Sequence, residues 1–123
     1  MKRFFAAFFV FALVALAATP VAASDAKEQT WKDVSVTDQM CFDKVKDAPD
    51  KHTKECMLKC EKSGYGIIVG EGKAKKFVEF DANGNKLTAE ALKASKKVDS
   101  LKATVVGEMD AKVIKVKSIK FAD

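Results

Sequence analysis

The chain has 123 residues and a formal net charge of +5, from 22 Lys and Arg against 17 Asp and Glu, with one His, three Cys and one Trp. Hydrolytic triads need a histidine, and the only one lies near the cysteines; lysines interspersed with acids describe a solvated face rather than a nucleic-acid surface. The length suits one small domain.

Met1–Ala23 has the grammar of an export signal. Lys2-Arg3 form a basic start, Phe4–Ala18 an uncharged apolar stretch, and Val21-Ala22-Ala23 the small-residue pattern of a peptidase site. Thr19-Pro20 interrupts the apolar run, which argues against a retained membrane anchor. No cysteine stands at the cleavage point, so a lipid anchor is not expected. Cleavage after Ala23 leaves a mature chain of about 100 residues, periplasmic or secreted, with no stable membrane span. Five of the nine phenylalanines go with the leader. The remaining core is thin for its length, and a covalent or metal staple would help it.

Residues 24–30 are polar and read as a flexible arm, followed by a single domain over residues 31–123. Trp31, Val34 and Val36 suggest a first strand ending near Thr37-Asp38. Met40–Pro49 reads as an irregular loop leading into a cysteine helix over Lys51–Lys62. Asp50 or Thr53 can cap that helix, and Ser63-Gly64 stops it. Tyr65–Val69 is a short β-branched run, Glu71-Gly72-Lys73 a turn, and Ala74–Phe80 the returning strand. Asp81–Asn85 reads as a turn cluster, with Thr88 capping a second helix over Ala89–Lys97. Val98–Met109 alternates as a long strand, Asp110-Ala111 turns it, and Lys112–Lys120 pairs back. Two lysine stripes, Lys73, Lys75, Lys76 and Lys112, Lys115, Lys117, Lys120, read as solvated faces.

The order is β, helix, β, β, helix, β, β. It predicts a mainly β domain with two short helices, a five-stranded OB-like Greek-key barrel. The second helix falls between strands three and four, and the cysteine helix between strands one and two. An SH3-like barrel or an open α+β sheet would read similarly.

The chemistry-bearing residues cluster at one place. Cys41, His52, Cys56 and Cys60 make a Cys3His set suited to zinc or, with Met40 and Met57 nearby, to Cu(I). On one helix, His52, Cys56 and Cys60 would form a stripe drifting about 40° per step. His52 and Cys60 would then lie about 12 Å apart, which favours a metal beside Cys56 with Cys41 brought in from the loop. His52 must reach forward unless it precedes the first turn. The alternative is a disulfide, Cys41 with Cys56 or Cys60, leaving one spare thiol and His52 facing solvent. Such a loop closure is worth about 3 kcal/mol. Cys56 with Cys60 is a poor bridge, because their Cβ vectors are parallel.

Redox catalysis and haem attachment lack their Cys-x-x-Cys and Cys-x-x-Cys-His motifs. Asp81–Glu90 resembles a calcium loop, yet the glycine due at position six is missing, and Leu92 stands where the bidentate glutamate belongs. An Asn-Gly turn explains that segment. No carboxylate pair or phosphate loop appears, so an enzyme is the minority reading.

The run Thr53–Gly64 followed by Tyr65–Val69, the closing Val98–Ile119 hairpin and the Asp38-Gln39-Met40-Cys41 turn resemble a class of small exported bacterial proteins. Those proteins are mostly uncharacterised, with OB-like barrels. In them a histidine often lies closer to the first cysteine than His52 does. The resemblance implies a fold and a compartment. Residues and resemblance together predict a binding or accessory protein with a soft transition-metal site. The alternative is a disulfide-stapled, metal-free module that binds an oligosaccharide, peptide or protein, with Trp31, Tyr65, Phe77 and Phe80 as candidate contact aromatics.

Overall fold

The computed structural model describes residues 27–122; the expected leader Met1–Ala23 and its expected cleavage site lie outside them. Five strands carry the fold: β1 (Glu28–Asp38), β2 (Tyr65–Val69), β3 (Lys76–Phe80), β4 (Lys102–Asp110) and β5 (Val113–Phe121). Three α-helices accompany them: α1 (Phe42–Val45), α2 (Lys54–Lys59) and α3 (Ala82–Ala94). The strands close into a ring in the order β1-β2-β3-β5-β4, with β4 returning to β1. All pairings are antiparallel except β3 with β5, where Glu79 faces Val113 and Phe80 faces Ile114.

β1 starts at Glu28, ahead of the expected Trp31, so Glu28–Thr30 belong to the sheet rather than to an arm. They pair with Glu108, Gly107 and Val106, and Lys117 holds the Glu28 carboxylate at 2.8 Å. A bulge between Trp31 and Val34 puts Asp33 at φ 54 and lets one long strand serve both neighbours. β2 has the expected bounds. β3 starts two residues late, because Gly72–Ala74 make a 3₁₀ turn. The second hairpin also starts late, since residues 95–101 form a connector.

α3 is the larger departure. It begins at Ala82 with Asp81 as its cap, absorbing the expected turn and placing Thr88 mid-helix. The Asp81 carboxylate accepts from Gly84 N–H at 2.8 Å and from Val116 N–H at 3.2 Å. Asn85 Oδ1 accepts from Tyr65 N–H at 2.8 Å, and Asn83 Nδ2 donates to the Val116 carbonyl at 3.0 Å. The polar residues of this segment thus tie a helix start to two strands. Gly84 lets the helix seat closely on the ring, since a Cβ there would stand 2.6 Å from Val116 Cγ2 and 2.7 Å from Phe80 Cβ.

Leu92 and Ala89 of α3 join Tyr65, Ile67, Val105 and Ile114 in the core, with Met57 entering from α2. Trp31 is partly buried against that core, and Tyr65 and Phe80 lie inside it. Of the four candidate contact aromatics, Phe77 borders an open groove, its ring 5.6 Å from that of Phe42. Among the described residues, no helix is long and apolar enough to cross a membrane.

Candidate metal centre

The link from β1 to β2 carries every cysteine and the histidine. β1 ends fully buried, with Thr37 opposite Gly66 and Asp38 opposite Tyr65. Asp38 then turns the chain: one carboxylate oxygen, Oδ1, accepts from Cys41 N–H at 2.9 Å, placing Cys41 as the residue that starts α1. Gln39 N–H donates to the Gly64 carbonyl at 3.0 Å, so the turn lies alongside the far end of the insertion.

The expected continuous cysteine helix is broken into three pieces. Pro49–Lys51 is a 3₁₀ turn, His52 is extended, and Thr53 caps α2 by accepting from Cys56 N–H at 3.2 Å. Cys60 is the residue that ends α2, followed by a 3₁₀ turn over Glu61–Ser63. The expected stripe of His52, Cys56 and Cys60 therefore does not form. The cap fixes the first helical residue at Lys54, and the stiff Pro49 turn ahead of it delivers His52 from outside. That placement removes the need for His52 to reach forward along a helix.

His52 faces inward, with 4 % of its side chain exposed. Its Nε2 lies 2.8 Å from Asp38 Oδ2, and Asp38 is fully buried. A carboxylate only accepts, so Nε2 carries the proton and Nδ1 presents a lone pair. Metal-bound imidazoles depend on the same carboxylate–histidine relay, which orients the ring and raises its basicity.

Two donor groups result. Donor atoms of Cys41, His52 and Cys56 all lie within 4.8 Å of one another, and those of Asp38, Cys41 and Cys60 do likewise. Cys41 is common to both. Thiolate–metal bonds near 2.3 Å set sulfur–sulfur edges of about 4 Å, so the first group needs little contraction to close on one ion. The donors suit a soft or borderline transition ion. Zinc and copper both qualify.

The expected disulfide from Cys41 to Cys56 or Cys60 is not formed, and all three cysteines are free. The Cys41 sulfur instead lies within 4.8 Å of the Cys60 sulfur and of an Asp38 carboxylate oxygen. Burial pushes its thiol up from 9.0 to about 12, with the Asp38 charge and then Cys60 adding to the effect. A negative charge at Cys41 is thus disfavoured until a cation arrives to share it. Tyr65 is raised likewise, by burial first and then by Glu61, Asp38 and Cys60. Of the two methionines close to the cysteines in sequence, Met57 is fully buried in the core, whereas Met40, next to Cys41, is 68 % exposed.

Cys41, His52 and Cys56 are brought together as expected, whereas Cys60 joins Cys41 and Asp38 in the second group instead of completing the expected set of four. Asp38 is the residue that sequence reasoning missed. The sequence carried a signal for its turn contact only, an Asp three residues ahead of the residue whose N–H it accepts, and none for its contact with His52. Comparison of the chain with protein-family models, with curated proteins and with solved structures finds no match.

Proposed function

We propose that this chain is a small exported binding or accessory protein whose OB-like barrel presents a soft transition-metal site. One observation carries the reading: three donors of the right chemistry, Cys41, His52 and Cys56, converge within 4.8 Å from separate turns of one insertion. The buried Asp38–His52 contact supports it, since two charged-capable groups are kept out of water and aimed at a thiol cluster. A ring order of β1-β2-β3-β5-β4, a parallel β3/β5 contact and a helix between β3 and β4 support the OB-like reading. Export rests on the basic, apolar and small-residue segments of Met1–Ala23.

The test is stoichiometry on the reduced mature protein, under argon. One equivalent of Zn²⁺ or Cu(I) per chain, with Cys41 and Cys56 protected from alkylation, is the expected result. His52→Ala should abolish that protection. Full alkylation at saturating metal would end the proposal.

A second reading has its own observation. A groove of about 700 Å³ is floored by Phe42, Val69, Phe77 and Met109, with Lys75, Lys76 and Lys112 as its charged residues. A metal-free module binding an oligosaccharide, peptide or protein would use this face. Phe77→Ala weakening such a ligand, with His52→Ala silent, would favour it.

A further inference from the structure

The geometry points to Cu(I), held by three donors and handed on as cargo through an exposed edge, as what the Cys41–His52–Cys56 site carries. The inference rests on the metal-site reading and adds the ion's identity and its fate.

Coordination number is the first argument. Asp38 is occupied on both oxygens, by His52 Nε2 at 2.8 Å and by Cys41 N–H at 2.9 Å. Its oxygens are hard donors already engaged in orienting the imidazole and the cysteine turn, a supporting position rather than a place in a soft ligand set. Cys60 belongs to the group with Asp38 and Cys41 and is not among the donors gathered with His52 and Cys56. That leaves one imidazole and two thiolates at the ion. Structural zinc sites close with four protein ligands, whereas soft thiolate and thioether donors select Cu(I).

Access is the second argument. Within the donor group Cys41 and His52 are buried and Cys56 is intermediate, and as a whole residue Cys56 is exposed, so the site has a protein side and a solvent side. Met40 is next in sequence to Cys41 and is one of two large apolar side chains left exposed among the described residues. A thioether is a neutral soft donor, and its solvent position suits a passing contact better than packing. The Met40 turn is held in place, with Gln39 N–H bonded to the Gly64 carbonyl.

Transfer is then ligand exchange without redox change. An incoming acceptor thiol bonds to copper as the Cu–Sγ bond of Cys56 breaks, and the acceptor's proton passes to Cys56. Copper stays Cu(I); a second acceptor thiol then displaces Cys41 and passes its proton to that sulfur, while the neutral His52 imidazole leaves without one.

The experiment uses the reduced mature protein under argon with Cu(I) buffered by bicinchoninate, and with Zn²⁺ as competitor. Expected are one Cu(I) per chain, a three-coordinate S/S/N environment by X-ray absorption, and no displacement by roughly 100-fold excess Zn²⁺. Cys60→Ser should leave the stoichiometry and the absorption spectrum unchanged, while His52→Ala and Cys56→Ser should each weaken binding by about 100-fold. Transfer to excess glutathione should finish within about a minute, and Met40→Leu should slow it roughly tenfold with affinity held within about twofold. Failure to bind either ion would sink the metal-site reading itself. Four-coordinate Zn²⁺ bound in preference to copper, with Cys60→Ser damaging it, would overturn Cu(I) and leave the metal site standing. Three-coordinate Cu(I) that stays put against glutathione, or a Met40→Leu variant transferring at the normal rate, would overturn the cargo role.

Discussion

At the scale of single residues, Asp38 decides what His52 can do. The carboxylate accepts from Nε2–H and so puts the lone pair of the neutral ring on Nδ1. Asp38→Asn keeps the volume, and its amide oxygen can still accept from Cys41 N–H. Its NH2 then faces Nε2, which favours the opposite tautomer and puts a proton on Nδ1. Metal affinity is therefore expected to fall about 10- to 100-fold. Nitrogen-15 chemical shifts of His52 in the metal-free variant should report the exchanged tautomer. Unchanged shifts would mean that Asp38 only shapes the turn.

Cys41 makes a separate prediction, about pH. Its thiol is raised from 9.0 to about 12 in the folded protein, by burial first. Between those values the unfolded chain has lost a proton that the folded chain keeps. The metal-free protein should hold this contribution fully below pH 9.0 and lose it as pH rises toward about 12. Cys41→Ser should flatten that part of the alkaline unfolding curve, measured by denaturant midpoint against pH. An unchanged curve would show that the thiol titrates alike in both states.

At the scale of elements, α3 carries an avoidable cost. Thr88 sits mid-helix and fully buried, and its hydroxyl has no hydrogen-bond partner among the described residues. Thr88→Val keeps the branched shape and removes the stranded hydroxyl. Stability should rise by about 1 kcal/mol, read from urea unfolding at unchanged m. A loss instead would mean that an ordered water satisfies the oxygen. The same residue shows why α3 was only partly legible. Thr88 ahead of Ala, Leu and Lys has the look of a cap, and Asn83-Gly84-Asn85 the look of a turn. What overrides both is tertiary: Asp81 reaches Val116 N–H as well as Gly84 N–H, and Gly84 is needed where the helix meets Phe80 and Val116. β2 was readable at both ends because Gly64 and Gly70, at φ 88 and 87, punctuate a β-branched run. In the insertion, Thr53 was legible as a cap, and the gathering of Cys41, His52 and Cys56 followed from their soft chemistry. Asp38 was not found, because a buried carboxylate is defined by what folds over it.

At the scale of the whole molecule, the insertion is fastened to the ring from several sides. Tyr65 of β2 donates its hydroxyl to the Met57 carbonyl of α2 at 2.9 Å, while its N–H donates to Asn85 of α3. Lys54 bonds the connector before β4, N–H to Val98 carbonyl and Nζ to Ser95 carbonyl, each at 2.8 Å. The donor cluster adds a fastening that exists only when filled, between the end of β1 and the start of α2. Metal that binds only the folded chain should stabilise it by about 2.7 kcal/mol at 100 times its dissociation constant. Hydrogen exchange should show where that gain is felt. Amides of residues 38–60 should slow most, because their local opening breaks the ligand set, while the β4–β5 hairpin should follow only global unfolding. Uniform slowing across the chain would mean that the insertion never opens on its own. Tyr65→Phe separates the two fastenings. It strands the Met57 carbonyl and should cost about 1–2 kcal/mol with or without metal, if hydroxyl and ion act independently. A larger loss in the metal-bound form would show that Tyr65 helps to hold the cysteine turn in register for the ion.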